Sequence, residues 1–167
     1  MKKDDVLRWV GVSSGKDEII LVTKTGQSIR FRETDARPMG RTASGVQGTH
    51  LKSGDEIIGM GIVRGDIKKN DLLVVSEHGY GKRTTLSAFK VQHRGGSGLK
   101  ASNCTAKTGQ LVSAHVLEDE EELIAISQKG IVIRISLKDV SRLGRATQGV
   151  RIMKMESGDR VASAIVV

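Results

Sequence analysis

The residues whose type and spacing point to chemistry are arginines. Arg30, Arg83 and Arg134 recur at intervals of 53 and 51 residues, and Arg41, Arg94 and Arg145 recur at the same two intervals. Arg37, Lys82, Lys90 and Arg142 add charge in the same two regions. Cations repeated at a fixed step suit a phosphate backbone, because they neutralise its charge without reading base edges. These ten residues are therefore the candidate DNA contacts. Other chemistries fit less well. Gly79-Tyr80-Gly81-Lys82-Arg83-Thr84 has the look of a phosphate-binding loop, but Ser76 stands where that loop needs its first glycine and Arg83 where it needs a hydroxyl. His50, His78, His93 and His115 lack the spacing of metal ligands, and the single Cys104 has no partner for a disulfide. No nucleophile, base and orienting group stand together in sequence. The expectation is a chain with no catalytic residue, no metal and no cofactor.

The charge balance agrees with a polyanionic partner. The formal net charge is +8 over 167 residues, and a surplus of this size favours association with nucleic acid. Trp9, Phe31, Tyr80 and Phe89 are the only aromatic rings. Binders of single strands stack bases on such rings, so a duplex, held through its backbone, is the better match. The acidic run Glu118–Glu122 would repel phosphate and should point away from any DNA path. No window is long and apolar enough for a membrane span, and Met1–Asp5 opens no secretory signal, so a cytoplasmic place and no membrane partner are expected.

The elements that must position these side chains are themselves repeated. Each copy of the loop reads Arg, three small or polar residues, Gly, then an aliphatic residue: Arg41–Val46, Arg94–Leu99 and Arg145–Val150. Upstream, Gly26–Arg30, Gly79–Arg83 and Gly130–Arg134 align on glycine and arginine, and downstream Leu51, Cys104 and Met155 share one position. That position favours Cys104 as a small packed hydrophobe. Gly54-Asp55 matches Gly158-Asp159, and Asp4–Leu7 matches Asp55–Ile58. A period near 50 marks a propeller or an array. Glu18–Val22, Asp71–Val75 and Glu122–Ile126 are apolar runs of strand length, each followed by a glycine turn and a second strand ending near Arg30, Arg83 or Arg134. A loop of about a dozen residues and two more strands follow, near 45–51 and 55–63 in the first copy, which makes four antiparallel strands per repeat. Ser136–Val140 offers a helical turn at most. The expectation is an all-β chain, 1–167, forming one partial propeller of about three blades. Its repeats lie near 17–64, 70–117 and 121–167, with 4–12 as the last strand of a preceding repeat.

The heptapeptide Gln92-His93-Arg94-Gly95-Gly96-Ser97-Gly98 resembles the glycine-rich basic box of the bacterial DNA gyrase A C-terminal domain, Gln-basic-Arg-Gly-Gly-basic-Gly, with His93 and Ser97 at its two basic positions. Gly79–Thr84, Met39–Thr42, Gly144–Val150 and the spaced Gly-Asp turns are similar to that family as well. The resemblance implies a strand-exchanged, six-bladed pinwheel that wraps duplex DNA around its outer rim in the service of an ATP-dependent type II topoisomerase. This chain would then be its C-terminal half, and Arg94 a DNA contact. The implied partners are duplex DNA, the remainder of the gyrase A polypeptide and the gyrase B protein, beside the bacterial nucleoid. Topoisomerase IV is the near neighbour. The family's cleavage tyrosine lies elsewhere, so Tyr80 does not inherit it, and ATP hydrolysis belongs to another polypeptide. The competing reading is an assembly propeller whose exposed blade edges pair into a homo-oligomer, with incidental charge.

Overall fold

The computed structural model describes residues 6–65 and 67–167. Among the described residues eleven strands build three antiparallel sheets, confirming an all-β chain of three blades. The first blade has the order β3 (Ile57–Val63), β1 (Glu18–Thr23), β2 (Gln27–Arg32), β6 (Leu99–Lys100). The second has β7 (Leu111–Leu117), β4 (Asp71–Ser76), β5 (Tyr80–Thr85), β10 (Val150–Arg151), and the third has β11 (Val161–Val166), β8 (Glu122–Ser127), β9 (Val132–Ser136).

The period-two pattern of each first strand decides how the blades stack. In β4, Leu72 and Val74 enter the core shared with the first blade, together with Ile20, Val22, Leu86 and Phe89. Leu73 and Val75 point the other way, into the core shared with the third blade, against Leu123, Ala125, Leu137 and Val140. A strand covered on both faces reads as a continuous apolar run, and all of β4 is buried. β3 packs against β7 and β7 against β11, so these strands form the inner side of the arc. β6 and β10 lie at the outer edge of their sheets.

Those outer strands are exchanged. β6 belongs in sequence to the second repeat but pairs with β2 of the first blade, Leu99 opposite Ser28 and Lys100 opposite Gln27. β10 repeats this on the second blade, Val150 opposite Gly81. The first copy of that segment, expected as a strand over 45–51, forms none, since its partner sheet would be that of a preceding blade. Glycine permits the exchange. Gly149 has φ +86°, and a Cβ there would sit 2.7 Å from the Gly81 carbonyl oxygen. The strand expected over 4–12 is also corrected: residues 4 and 5 lie outside the described residues, and Val6–Val12 form no strand. Arg8–Val12 run instead along a cavity of about 770 Å³ bounded by the inner strands.

The second-strand arginines are interblade clasps. Arg30 is buried, donates through Nε to Glu18 Oε2 at 2.6 Å, and through Nη1 to the carbonyls of Leu86 and Phe89, each at 2.9 Å. Those carbonyls belong to the 3₁₀ turn Leu86–Ala88 of the next repeat and its C-cap. Arg83 does the same one blade on, paired with Asp71 at 3.6 Å and donating to the Val140 carbonyl at 2.9 Å. Arg134 pairs with Glu122 at 2.7 Å, donates to no carbonyl among the described residues, and its side chain is 66% exposed. Arg30→Met is expected to cost about 3–5 kcal/mol in urea unfolding, because it strands a partly buried carboxylate and two carbonyls. Arg134→Met at the equivalent position should cost under about 1 kcal/mol. Equal costs would refute the clasp.

Candidate nucleic-acid interface

The loops that lead into the exchanged strands carry most of the cations at the outer edge, and the structure divides them into two groups. Members of the first are engaged within the protein. Lys82 is fully buried, and its Nζ lies 2.5–3.1 Å from four oxygens: the carbonyls of Gly144, Arg145 and Thr147 and the Thr147 hydroxyl. Arg94 donates from Nε to the Asp35 carbonyl at 3.2 Å and from Nη1 to the Gln47 carbonyl. Arg145 makes the matching bond to the Lys100 carbonyl at 2.9 Å. Each thus ties its loop to the corresponding loop of the preceding repeat. Arg142 is held by Asp71 at 2.8 Å.

With the clasps Arg30 and Arg83, this corrects the expected track of periodic arginines. Arg30 and Lys82 are buried and their donors are taken by protein oxygens, which leaves them nothing to offer a phosphate. Arg83 is three-quarters covered and Arg134 is paired to Glu122. Arg94 and Arg145 remain half-exposed beside the outer edge.

The second group faces solvent. Arg37, Arg41 and Lys90 are exposed and, among the described residues, have no acidic partner within hydrogen-bonding or ion-pair reach. Two further residues belong with them that the sequence reading missed. Lys100 in β6 and Arg151 in β10 occupy the same place on successive outer strands and both are exposed. Their signal was present: a cation directly follows the aliphatic residue in the second and third copies of the loop, where Gln47 follows it in the first. Arg151 lies over the Tyr80 ring at 5.7 Å, with Lys107 at 5.5 Å, and donates to the Tyr80 hydroxyl at 3.3 Å. The hydrogen bond from Arg151, with the charges of Arg151 and Lys107, holds the phenol below its usual pKa.

The rest of the box-like segment is loop scaffold. Gly95 N donates to the Gly48 carbonyl at 2.9 Å, and the Gly96 carbonyl accepts from His50 N at 3.0 Å and Thr49 Oγ1 at 2.9 Å. Gln92 N donates to the Arg30 carbonyl at 2.7 Å, and Gly98 at φ +75° packs against the Ser28 carbonyl. His93 and Ser97 are exposed. The acidic Glu118 and Glu120 border the inner cavity, on the side opposite β6 and β10. Asp55 and Asp159 serve hairpin turns: Asp55 accepts from Thr25 Oγ1 at 2.6 Å, and Asp159 from Lys129 N at 3.1 Å. Among the described residues no three His, Cys, Asp or Glu side chains converge as metal ligands, and no helix is long and apolar enough to cross a membrane.

With this geometry in place, the family model described as "DNA gyrase C-terminal domain, beta-propeller" matches residues 17–64, 70–118 and 121–167. The chain belongs to this DNA gyrase A C-terminal domain family. It is 39% identical over 162 residues, 97% of its length, to the DNA gyrase A protein of Staphylococcus epidermidis, and 38% identical over 154 residues, 92% of its length, to that of Staphylococcus aureus. It spans 18% and 17% of those relatives. Among solved structures it is similar to the C-terminal domain of DNA topoisomerase IV, with TM-score 0.91 and 26% identity over all of this chain and 51% of that one. The DNA gyrase A C-terminal domain matches with TM-score 0.79 and 28% identity, over 90% of this chain and 50% of that one. This gyrase-type domain is therefore akin to modules of both type II topoisomerases.

Burial pushes Lys82 down to about 8, Cys104 opposes that shift and Arg145 adds to it. The unfolded lysine holds its proton up to about 10.4, so the unfolded chain binds more protons between about pH 8 and 10 and stability should rise with pH across that window. Lys82→Met is expected to lose about 2–4 kcal/mol at pH 7, from oxygens left without a donor, and to lose the rise. Denaturant midpoints at pH 7, 8.5 and 10 test both, and a variant as stable as the parent would refute the role given to Lys82.

Proposed function

We propose that this chain is a non-catalytic module that binds duplex DNA along its outer edge and bends it, as part of a type II topoisomerase of the gyrase kind. The observation that carries this reading is the pair Lys100 and Arg151, exposed at equivalent places on the outer strands of successive blades, together with the exposed loop cations Arg37, Arg41 and Lys90, which have no acidic partner among the described residues. Duplex DNA presents one charge per about 1.7 Å of axis, and an arc of cations on a convex edge meets successive phosphates only if the duplex curves with it. Smooth bending by 40–90° costs of order 1–6 kcal/mol, which several phosphate contacts together offset. Half-exposed Arg94 and Arg145, and the loop bearing His93 and Ser97, border the same path.

The kinship supports the wider setting. The relatives are DNA gyrase A proteins, so the proposed partners are the rest of such a polypeptide and, through it, the gyrase B protein, in the bacterial cytoplasm beside the nucleoid. The chemistry of strand passage is assigned to those other parts, and this chain supplies position and curvature.

Binding should be independent of sequence, stronger for a duplex than for the matching single strand, and steeply salt-dependent. The Lys90→Ala, Lys100→Ala, Arg151→Ala triple variant is expected to lower the slope of log K against log salt by about 2–3, close to 0.9 per lost phosphate contact. Fluorescence anisotropy across a salt series measures it. An unchanged slope and affinity in the triple variant would remove the outer edge as the DNA site.

A further inference from the structure

Two cations of the second blade meet at one phenol. Tyr80, the first residue of β5, is buried, and its ring lies under Lys107 Nζ, 5.5 Å from the centroid, and under the Arg151 guanidinium, at 5.7 Å. Both cations are exposed, and among the described residues neither forms an ion pair. Like charges gathered at a single ring repel each other, and the attraction of each to the ring offsets only part of that cost. The acid on the adjoining hairpin turn does not separate them, because Glu77 accepts from Gln110 N at 2.9 Å and pairs with Arg160 at 3.7 Å. The second blade is packed on both faces by its neighbours, and this basic surface stays open beside them.

The backbone fixes the arrangement. Arg151 stands opposite Tyr80 across β10 and β5. Lys107 comes from a turn held at several points: its carbonyl lies 3.0 Å from His78 Nδ1, His78 N donates to the Thr108 carbonyl at 3.0 Å, and Gly109 N donates to the Thr105 carbonyl at 2.9 Å. The chain is one residue longer between Cys104 and β7 than between Leu51 and β3, so this turn is particular to the second repeat. In the first blade Gln27 stands opposite Lys100 where the ring would be, which leaves that blade without a phenol at its outer strand. The Tyr80 hydroxyl accepts from Arg151 Nη2 at 3.3 Å, and its own proton has no acceptor among the described residues. A guanidinium, an ammonium and a hydroxyl proton in one place are the donors that suit the oxygens of a phosphate.

We propose that Tyr80, Lys107 and Arg151 together seat one phosphate of the duplex backbone, the Tyr80 hydroxyl donating to it, and so fix the register of the DNA on the second blade. This seat rests on the reading of the outer edge as the DNA site and adds to it two residues, Tyr80 and Lys107, that lie beyond the outer strand itself. A bound phosphate relieves the repulsion between the two cations, which gives the site a reason to prefer an anion over water. It also acts on the phenol. The hydrogen bond from Arg151 and the charges of Arg151 and Lys107 favour the ionised ring in the unbound chain. A phosphate oxygen that accepts the phenol's proton favours the neutral ring, so binding should raise the pKa of Tyr80, and affinity should fall as pH rises through the pKa of the unbound phenol.

Tyr80 is the sole tyrosine, so carbon-13 at tyrosine Cζ gives one resonance whose pH titration reports this phenol in the parent chain, with no substitution needed. The test compares that titration without DNA, with a saturating short duplex, and with inorganic phosphate at the same ionic strength, beside anisotropy measurements of duplex binding across a salt series. The duplex should raise the phenol's pKa, and inorganic phosphate should raise it less. Lys107→Gln should lower the slope of log K against log salt by about 0.9, the loss of one phosphate contact. Tyr80→Phe should weaken binding by about threefold to tenfold with the slope unchanged, because it removes a donor and no charge. A phenol indifferent to bound duplex, an unchanged slope in Lys107→Gln or an unchanged affinity in Tyr80→Phe would each overturn the seat while the parent still binds DNA. An equal shift with inorganic phosphate would make it a site for the free anion and overturn its assignment to the backbone. A parent chain that binds no duplex at low salt would overturn the outer-edge reading and the seat together.

Discussion

Two blades meet at a guanidinium group. Arg30 and Arg83 each join an acid at the start of their own blade to carbonyl oxygens in a 3₁₀ turn or its cap on the next repeat. The sequence interval within each blade is the same, since Glu18, Asp71 and Glu122 all precede their arginine by 12 residues. Burying such a charge is unfavourable unless every donor finds an acceptor, and for Arg30 the turn of the next repeat completes the set. A blade is thus unfinished until its successor is folded against it. Strand exchange acts in the same direction, because β6 and β10 are lent backward by the following repeat. Stability in such an array is held largely at the junctions between neighbours.

That constraint sorts the cations. Those that recur most regularly in the chain hold the blades and loops in place, and Lys82 fills its core position with an ammonium group where the first blade has Ile29. What remains exposed is a less regular set, Lys100 and Arg151 on the outer strands and Arg37, Arg41 and Lys90 on loops. The arrangement suits a polyanion that is read by charge and curvature.

Much of the architecture was legible in the residues. The repeat, the hairpins Glu18–Arg32, Asp71–Thr85 and Glu122–Ser136 and the turn near Leu137 follow from local pattern, because strand alternation and glycine turns are short-range features. The exchange of β6 and β10 was not read from that pattern, since a two-residue strand has no period of its own and nothing nearby tells it which sheet to join. The site was read less well. A periodic arginine looks the same in sequence whether it faces solvent or a neighbouring turn, and net charge says nothing of direction. The acid 12 residues ahead of Arg30, Arg83 and Arg134 was the available sign that these side chains were already engaged. Lys100 and Arg151 were missed because the repeat was cut one residue too short.

The central claim is that the outer edge imposes its curve on a duplex. The most direct measurement is the end-to-end distance of a duplex of about 35 base pairs, labelled at both ends for energy transfer, as this chain is titrated at low and then at high salt. The account predicts a shortening that saturates with binding and reverses when salt is raised. Saturable binding with an unchanged end-to-end distance would contradict it, for the edge would then be a site of attachment that leaves the DNA straight.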